Sequence, residues 1–228
     1  MSEERAGFIK KSYLLLRYPI RGFKVLSRES DYLGLLVYGG LIVILICIVE
    51  YVRYTKIINC LSAVFGGNIS ETTRGILISN ILPMLFFILI SLSGYFLTIV
   101  AIAYLMNRYV FKKRIAFSLL ISSLGYIQLY MLFFTLATLV VALIMPSLYN
   151  VTVYPGTYGV VGALIRDYAS QPEIQSYYII GQTISKSSYL VITAIFLTSL
   201  RWINKNNWEE ILIMSFLSVP IYLFLWGL

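Results

Sequence analysis

Long apolar runs alternate with short basic connections along this chain. A helix needs roughly 20 mostly apolar residues to cross a bilayer. Runs of that kind lie at residues 32–51, uncharged up to Glu50, and at 77–106, where Pro83 near one end is tolerable as a kink. Others lie at 115–145, stopped by Pro146, at 177–200, with Lys186 inside, and at 211–228, with Pro220 as an expected bend. The second and third are long enough to tilt or project from the membrane. The pattern predicts an all-α, polytopic membrane protein: a bundle of five transmembrane helices over residues 32–228, behind a basic amphipathic arm at residues 1–31. The long basic lead and the lack of a small-residue cleavage site predict a retained first helix, not a signal peptide.

Within the arm, residues 6–28 interleave apolar and basic side chains without an acid. Phe23 and Leu26 recur at helical spacing after Pro19, a good first helical residue. One or two short interfacial helices are expected, with Lys10, Lys11, Arg17, Arg21, Lys24 and Arg28 facing lipid headgroups. The longest outer connection, residues 146–176, has β-like Tyr149, Val151, Val153 and Tyr154, then a Pro155-Gly156 turn and an amphipathic stretch at 160–168. A loop packed on the outer face is the simplest reading, a lid or partner surface the alternative.

Composition sharpens the class. Of 228 residues 59% are hydrophobic and only 12% charged, against roughly 25% charge in soluble domains. So few ions cannot cover a soluble surface, and the apolar excess must face lipid. The mean hydropathy of +0.83 agrees. The net charge of +8 follows membrane topology and shows no nucleic-acid module, so no nucleic-acid partner is expected.

Orientation follows from where the basic residues fall. Arg5, Lys10, Lys11, Arg17, Arg21, Lys24 and Arg28 precede the first run. Arg108, Lys112, Lys113 and Arg114, then Arg201 and Lys205, lie in connections on the same side. The opposite connections hold only Arg53, Lys56, Arg74 and Arg166. The N-terminus is therefore expected in the cytoplasm and the C-terminus outside, in the cell membrane for a prokaryotic source. Two glycosylation sequons, at Asn68 and Asn150, fall on the expected outer side. Trp202 and Trp208 fall at the expected inner boundary and Trp226 near the outer one, where tryptophan is favoured.

Intramembrane charges mark candidate sites. Glu50 lies about 25 Å along a helix from Leu33, and Lys186 about 22 Å from Arg201, so the two reach matching depths. Those depths allow a Glu50–Lys186 pair between spans one and four, while separate snorkelling to the outer interface is the simpler reading. Gln128, Asn80, Ser91, Ser93 and Gln182 are the main neutral polar candidates, and such residues commonly bond helix to helix. Gly39, Gly40, Gly94 and Gly125 suit close helix approach for the same reason.

Enzymatic chemistry finds little footing. There is no histidine, which removes His metal sites, triads and proton relays. Cys47 and Cys60 cannot build a four-thiolate site. They read as an apolar filler and a loop thiol, with a disulfide between them as the alternative. Among the acids only Glu50 lies within a run, and Glu209-Glu210 suits the N-terminus of the last helix. No metal or cofactor is expected.

Several stretches carry a resemblance. Tyr18-Pro19-Ile20-Arg21-Gly22-Phe23 before the first run, residues 114–120 through Gly125-Tyr126 at the start of the third, and residues 189–202 before the fifth resemble the Yip-domain family of five-span membrane proteins. The resemblance covers about residues 17–228 and implies the five-span fold more than a mechanism. Members often carry a proline after the Gly-Tyr of span three, where Ile127-Gln128-Leu129 stands here. Eukaryotic members, linked to Rab-type GTPases, have longer N-terminal regions, and the short arm here weakens the case for GTPase binding. The expected function is a non-enzymatic adaptor or accessory subunit, packing against another membrane protein or itself, or organising the bilayer. The alternative is a small transporter or channel component.

Overall fold

The computed structural model describes residues 7–28, 30–64, 71–146 and 171–226, and every regular element among them is helical. Helices α1 (Phe8–Arg17) and α2 (Pro19–Leu26) form a hairpin. A π-helical turn, Leu35–Gly39, leads into α3 (Gly40–Val64). Helix α4 (Glu71–Leu105) closes on a second π turn, Met106–Val110. Helices α5 (Phe117–Ile144), α6 (Pro172–Ile203) and α7 (Trp208–Trp226) complete the chain. The two sequons and most of the 146–176 connection, including its 160–168 stretch, lie outside the described residues.

Among the described residues four helical segments are long and apolar enough to cross a membrane: Leu35–Arg53, Phe86–Val110, Phe117–Ile144 and Ile174–Ile203. The chain is thus a multi-pass membrane protein. Only 22% to 44% of each apolar window is buried by protein, which leaves broad apolar faces for lipid. Helix α3 outruns its expected end and carries Cys60 within it, because residues 52–64 contain no glycine or proline to stop a helix. Cys47 is a free thiol, so the disulfide alternative is not used. Pro83 sits inside α4 and Pro220 inside α7.

The fold divides into two compact units. The first comprises Met1–Ile42, Ser91–Phe133 and Lys186–Leu228. Its core holds Leu15, Leu26, Val100, Leu120, Ile127 and Phe196, all fully buried. In lipid, apolar burial alone does not bring helices together, so close packing and hydrogen bonds decide the contacts. Both are present. Tyr95 and Thr193 share a buried 2.6 Å hydroxyl bond, and the Tyr95 ring meets Tyr189 edge-on at 5.4 Å. Phe23 of α2 stacks on Trp202 at 5.9 Å.

The glycines separate sharply by position. A Cβ on Gly125 would lie 2.5 Å from the Leu35 nitrogen, and one on Gly34 would lie 2.7 Å from the Tyr126 ring. Backbone therefore passes almost directly against backbone where α5 crosses the start of the first span. Gly39 faces the Gln128 side chain more loosely, at 3.2 Å. Gly40 and Gly94, expected to serve the same purpose, have nothing within 4 Å, so their small size is not used in packing.

The second unit comprises Val43–Ile90 and Phe134–Ser185. Lys56 donates its ammonium to the Leu143 carbonyl at 2.7 Å and to that of Met145. It thereby caps the end of α5, where carbonyls lack backbone partners and a cation suits the helix dipole.

Candidate functional site

Helix α1 brings a cation into the first unit. Lys11 and Leu15 share the buried face of this amphipathic helix, and Lys11 is only 3% exposed. It is therefore no headgroup ligand, correcting the expectation from the arm's basic pattern. Helical spacing from Phe8 and Leu15 is the signal that could have placed it inward. Its ammonium pairs with Asp31, an acid that the sequence reading left outside any site. The ammonium also lies 5.7 Å from the centre of the Tyr126 ring.

Asp31 is a hub. Its second oxygen accepts the Tyr126 hydroxyl at 2.9 Å and the Leu33 N–H at 3.1 Å. Its own N–H donates to the Ser122 hydroxyl at 3.1 Å. Tyr38 donates to the Ser12 hydroxyl, and Tyr130 to the Leu15 carbonyl. Phe8, Tyr38 and Tyr126 close an aromatic cluster with centroids 5.3 to 6.5 Å apart. The arm is thus latched onto the starts of the first span and α5 by charge, hydroxyls and rings together.

Burial pushes the Asp31 carboxyl up, but the Lys11 ammonium and the Tyr126 and Leu33 donors outweigh it and hold the group below the usual carboxylate range. A depressed pKa means the latch adds stability above the unfolded-state value, near 3.8, and loses it as pH falls through the lower folded value. The melting temperature should therefore stay nearly level from about pH 7 to 5 and fall below about pH 4. Asp31→Asn should flatten that fall. An unchanged acid limb in the variant would remove Asp31 from the account.

Lys10, Arg17, Arg21, Lys24 and Arg28 are exposed. Arg17 donates to the Tyr13 hydroxyl at 2.6 Å, and both Arg17 and Arg21 lie over the Tyr18 ring.

Glu50 and Lys186 each have a partner within their own unit. Glu50, buried, accepts from Arg53 at 2.8 Å, one turn along its own helix. That guanidinium lies against Gly181, whose missing side chain makes room for it. Lys186 offers its backbone carbonyl to the Tyr222 hydroxyl at 3.2 Å. A neighbour three residues on is close in any helix, so depth alone was a weak guide to pairing. Gln128 is 6% exposed, and its side-chain oxygen has no hydrogen-bond partner among the described residues.

A second polar cluster gathers where α4, α6 and α7 end or begin. Asn107, fully buried in the second π turn, accepts from the Asn204 and Asn206 amides at 2.7 Å each. Its own amide donates to the Ala103 carbonyl at 2.7 Å. Glu210 and Asn207 cap the start of α7 reciprocally, at 2.9 and 2.8 Å. Glu210 also pairs with Lys113. Burial raises the Glu210 pKa, but Lys113 and the Asn207 N–H outweigh it and hold the carboxyl low. Asn107→Ala removes the shared acceptor, taking the Asn204 amide's acceptor and one of the two that the Asn206 amide uses, which should cost about 2 kcal/mol in thermal unfolding. An unchanged melt would mean that water replaces the cluster freely.

Among the described residues no group of histidine, cysteine or acidic side chains could hold a metal ion. What the arrangement can do is hold elements together, since the Lys11–Asp31 and Lys113–Glu210 pairs each join segments remote in the chain. Comparison with models of known protein families, with curated proteins and with solved structures yields no match.

Proposed function

We propose that this chain is a non-enzymatic membrane adaptor or accessory subunit, whose latched arm presents a binding face at the cytoplasmic surface. The carrying observation is the exposure on the arm's outer side. Ile9 is 81% exposed, and Tyr13, Leu16 and Ile20 are about half exposed beside Lys10, Arg17, Arg21 and Lys24. Such a mixed face suits a lipid interface or a partner helix lying on it. The buried Lys11–Asp31 pair keeps the arm from detaching and so makes the face a preformed surface. In this reading α7 is the fifth span, and the basic connections put the N-terminus inside and the C-terminus outside. The motif resemblance to Yip-domain proteins is consistent with it.

The test is purification of the whole chain from native membranes in mild detergent, with mass spectrometry of what co-migrates. A stoichiometric membrane partner, lost on Ile9→Glu with Leu16→Glu, is expected. A lone chain whose membrane association and melt are untouched by those changes would sink the adaptor reading.

One observation favours a second reading, a small transporter or channel component. An unpartnered buried amide oxygen at Gln128 is a group that a passing solute could use. Solute flux in liposomes, abolished by Gln128→Leu in a folded protein, would select it.

A further inference from the structure

The short connection between the second π turn and α5 borders a half-open cavity of about 680 Å³ lined by Arg108, Lys112, Lys113, Arg114, Ile115 and Ala116. Four cations line it, with no acid among them. Lys113 is neutralised by Glu210 and further tied to the Lys205 carbonyl at 3.1 Å. Arg108 is steadied by the Tyr104 hydroxyl at 2.6 Å and by the Tyr104 and Tyr109 rings. That contact uses one edge of its fork and leaves other N–H groups to donate. Lys112 and Arg114 are exposed and have no ion pair among the described residues. The cavity therefore holds about three uncompensated charges, on side chains converging from a stretch of seven residues.

Charge at a membrane boundary needs no fixed backbone to satisfy topology, yet this backbone is fixed. The Lys113 N–H donates to the Asn107 carbonyl at 2.7 Å, and the Phe111 N–H to Met106 at 2.9 Å. Lys112 sits at φ 53°, a left-handed conformation uncommon for a side-chain-bearing residue. Such conformations persist where surroundings over-determine them, often at ligand clamps. The start of α5 adds to the field. Leu119 and Leu120 both return to the Ala116 carbonyl, so the first turn of a 28-residue helix points its positive end into this region. The cavity lies between the apolar segments ending at Val110 and beginning at Phe117, where a bilayer crossed by both segments would carry its lipid phosphates.

We propose that this cavity binds a phosphate monoester, a dianion whose three oxygens match converging Lys and Arg donors better than a singly charged diester does. A phosphatidic-acid-type headgroup and a free phosphate share that chemistry. The site is separate from the arm and stands whether or not the adaptor reading does.

The test is native mass spectrometry of the full-length chain in detergent, titrated with phosphatidic acid, phosphatidylglycerol and phosphatidylcholine, and separately with inorganic phosphate. One phosphatidic acid should be retained at least about tenfold more tightly than phosphatidylglycerol. The double variant Lys112→Gly with Arg114→Gln should lose that preference. Glycine suits φ 53° and both side chains are exposed, so the variant should melt like the parent. Arg201→Gln, an exposed cation outside the cavity lining, should leave the preference intact. If millimolar inorganic phosphate binds alone and displaces the lipid, the free anion is the ligand. If it does neither, the lipid headgroup is. Equal binding of the two anionic lipids, a preference surviving the double variant, or an equal loss from Arg201→Gln would each overturn the site.

Discussion

Asp31→Ala should be among the most damaging single changes outside the apolar core. It takes the carboxylate away from the Lys11 ammonium, which is 3% exposed, and it strips the Tyr126 hydroxyl and Leu33 N–H of their acceptor. Breaking a buried ion pair on one side costs about 3–5 kcal/mol. Asp31 keeps 27% of its side-chain exposure, so a loss near the lower bound, about 3 kcal/mol, is expected. Lys11→Met should cost less, because Asp31 retains Tyr126 and Leu33 and can reach water. The double change Lys11→Met with Asp31→Leu should recover part of the loss, since an apolar pair no longer strands a charge. Thermal unfolding of the four proteins in one detergent reads these differences. If Asp31→Ala melts within about 0.5 kcal/mol of the parent, the pair is solvated and the latch fails.

The second large effect concerns two glycines that look equivalent as letters. Gly125→Ala puts a methyl group 2.5 Å from the backbone nitrogen of Leu35, where no side-chain rotation can relieve it. Helices must separate, at a cost of about 3 kcal/mol, the upper part of the range for overpacking. Gly94→Ala meets nothing within 4 Å. It should gain up to about 1 kcal/mol from helix propensity. Melting temperatures moving in opposite directions are the expected outcome. Equal destabilisation at both positions would mean that the crossing at Gly125 is not what distinguishes them.

Much of the scaffold was legible because the bilayer imposes a length and a polarity on any helix that crosses it. The apolar runs at 32–51, 115–145 and 177–200 lie within or along described helices, and Pro19 opens α2 as its ring geometry favours. The acids at the start of α7 were recognisable as dipole partners. The Asn207-x-x-Glu210 spacing could also have revealed the reciprocal cap. Less legible were the ends. Helix α3 runs on to Val64, since a polar stretch without a breaker can remain helical once an apolar stretch has nucleated it.

Residues whose role depends on who faces them could not be read at all. Lys10 and Lys11 are neighbours of one type, yet one is exposed and the other buried against Asp31, twenty residues away. Glu50 was matched by depth to Lys186, whereas the helix supplied Arg53 one turn on. Asn107, Asn204 and Asn206 gave no periodic signal, and only the meeting of helix ends makes them one cluster. The sequence by itself determined that the chain is helical and multi-pass, because those follow from summed apolar transfer and backbone satisfaction, which are local quantities. The tertiary structure alone decided which cation is latched and which glycine is indispensable, because those depend on pairwise distances between segments remote in the chain.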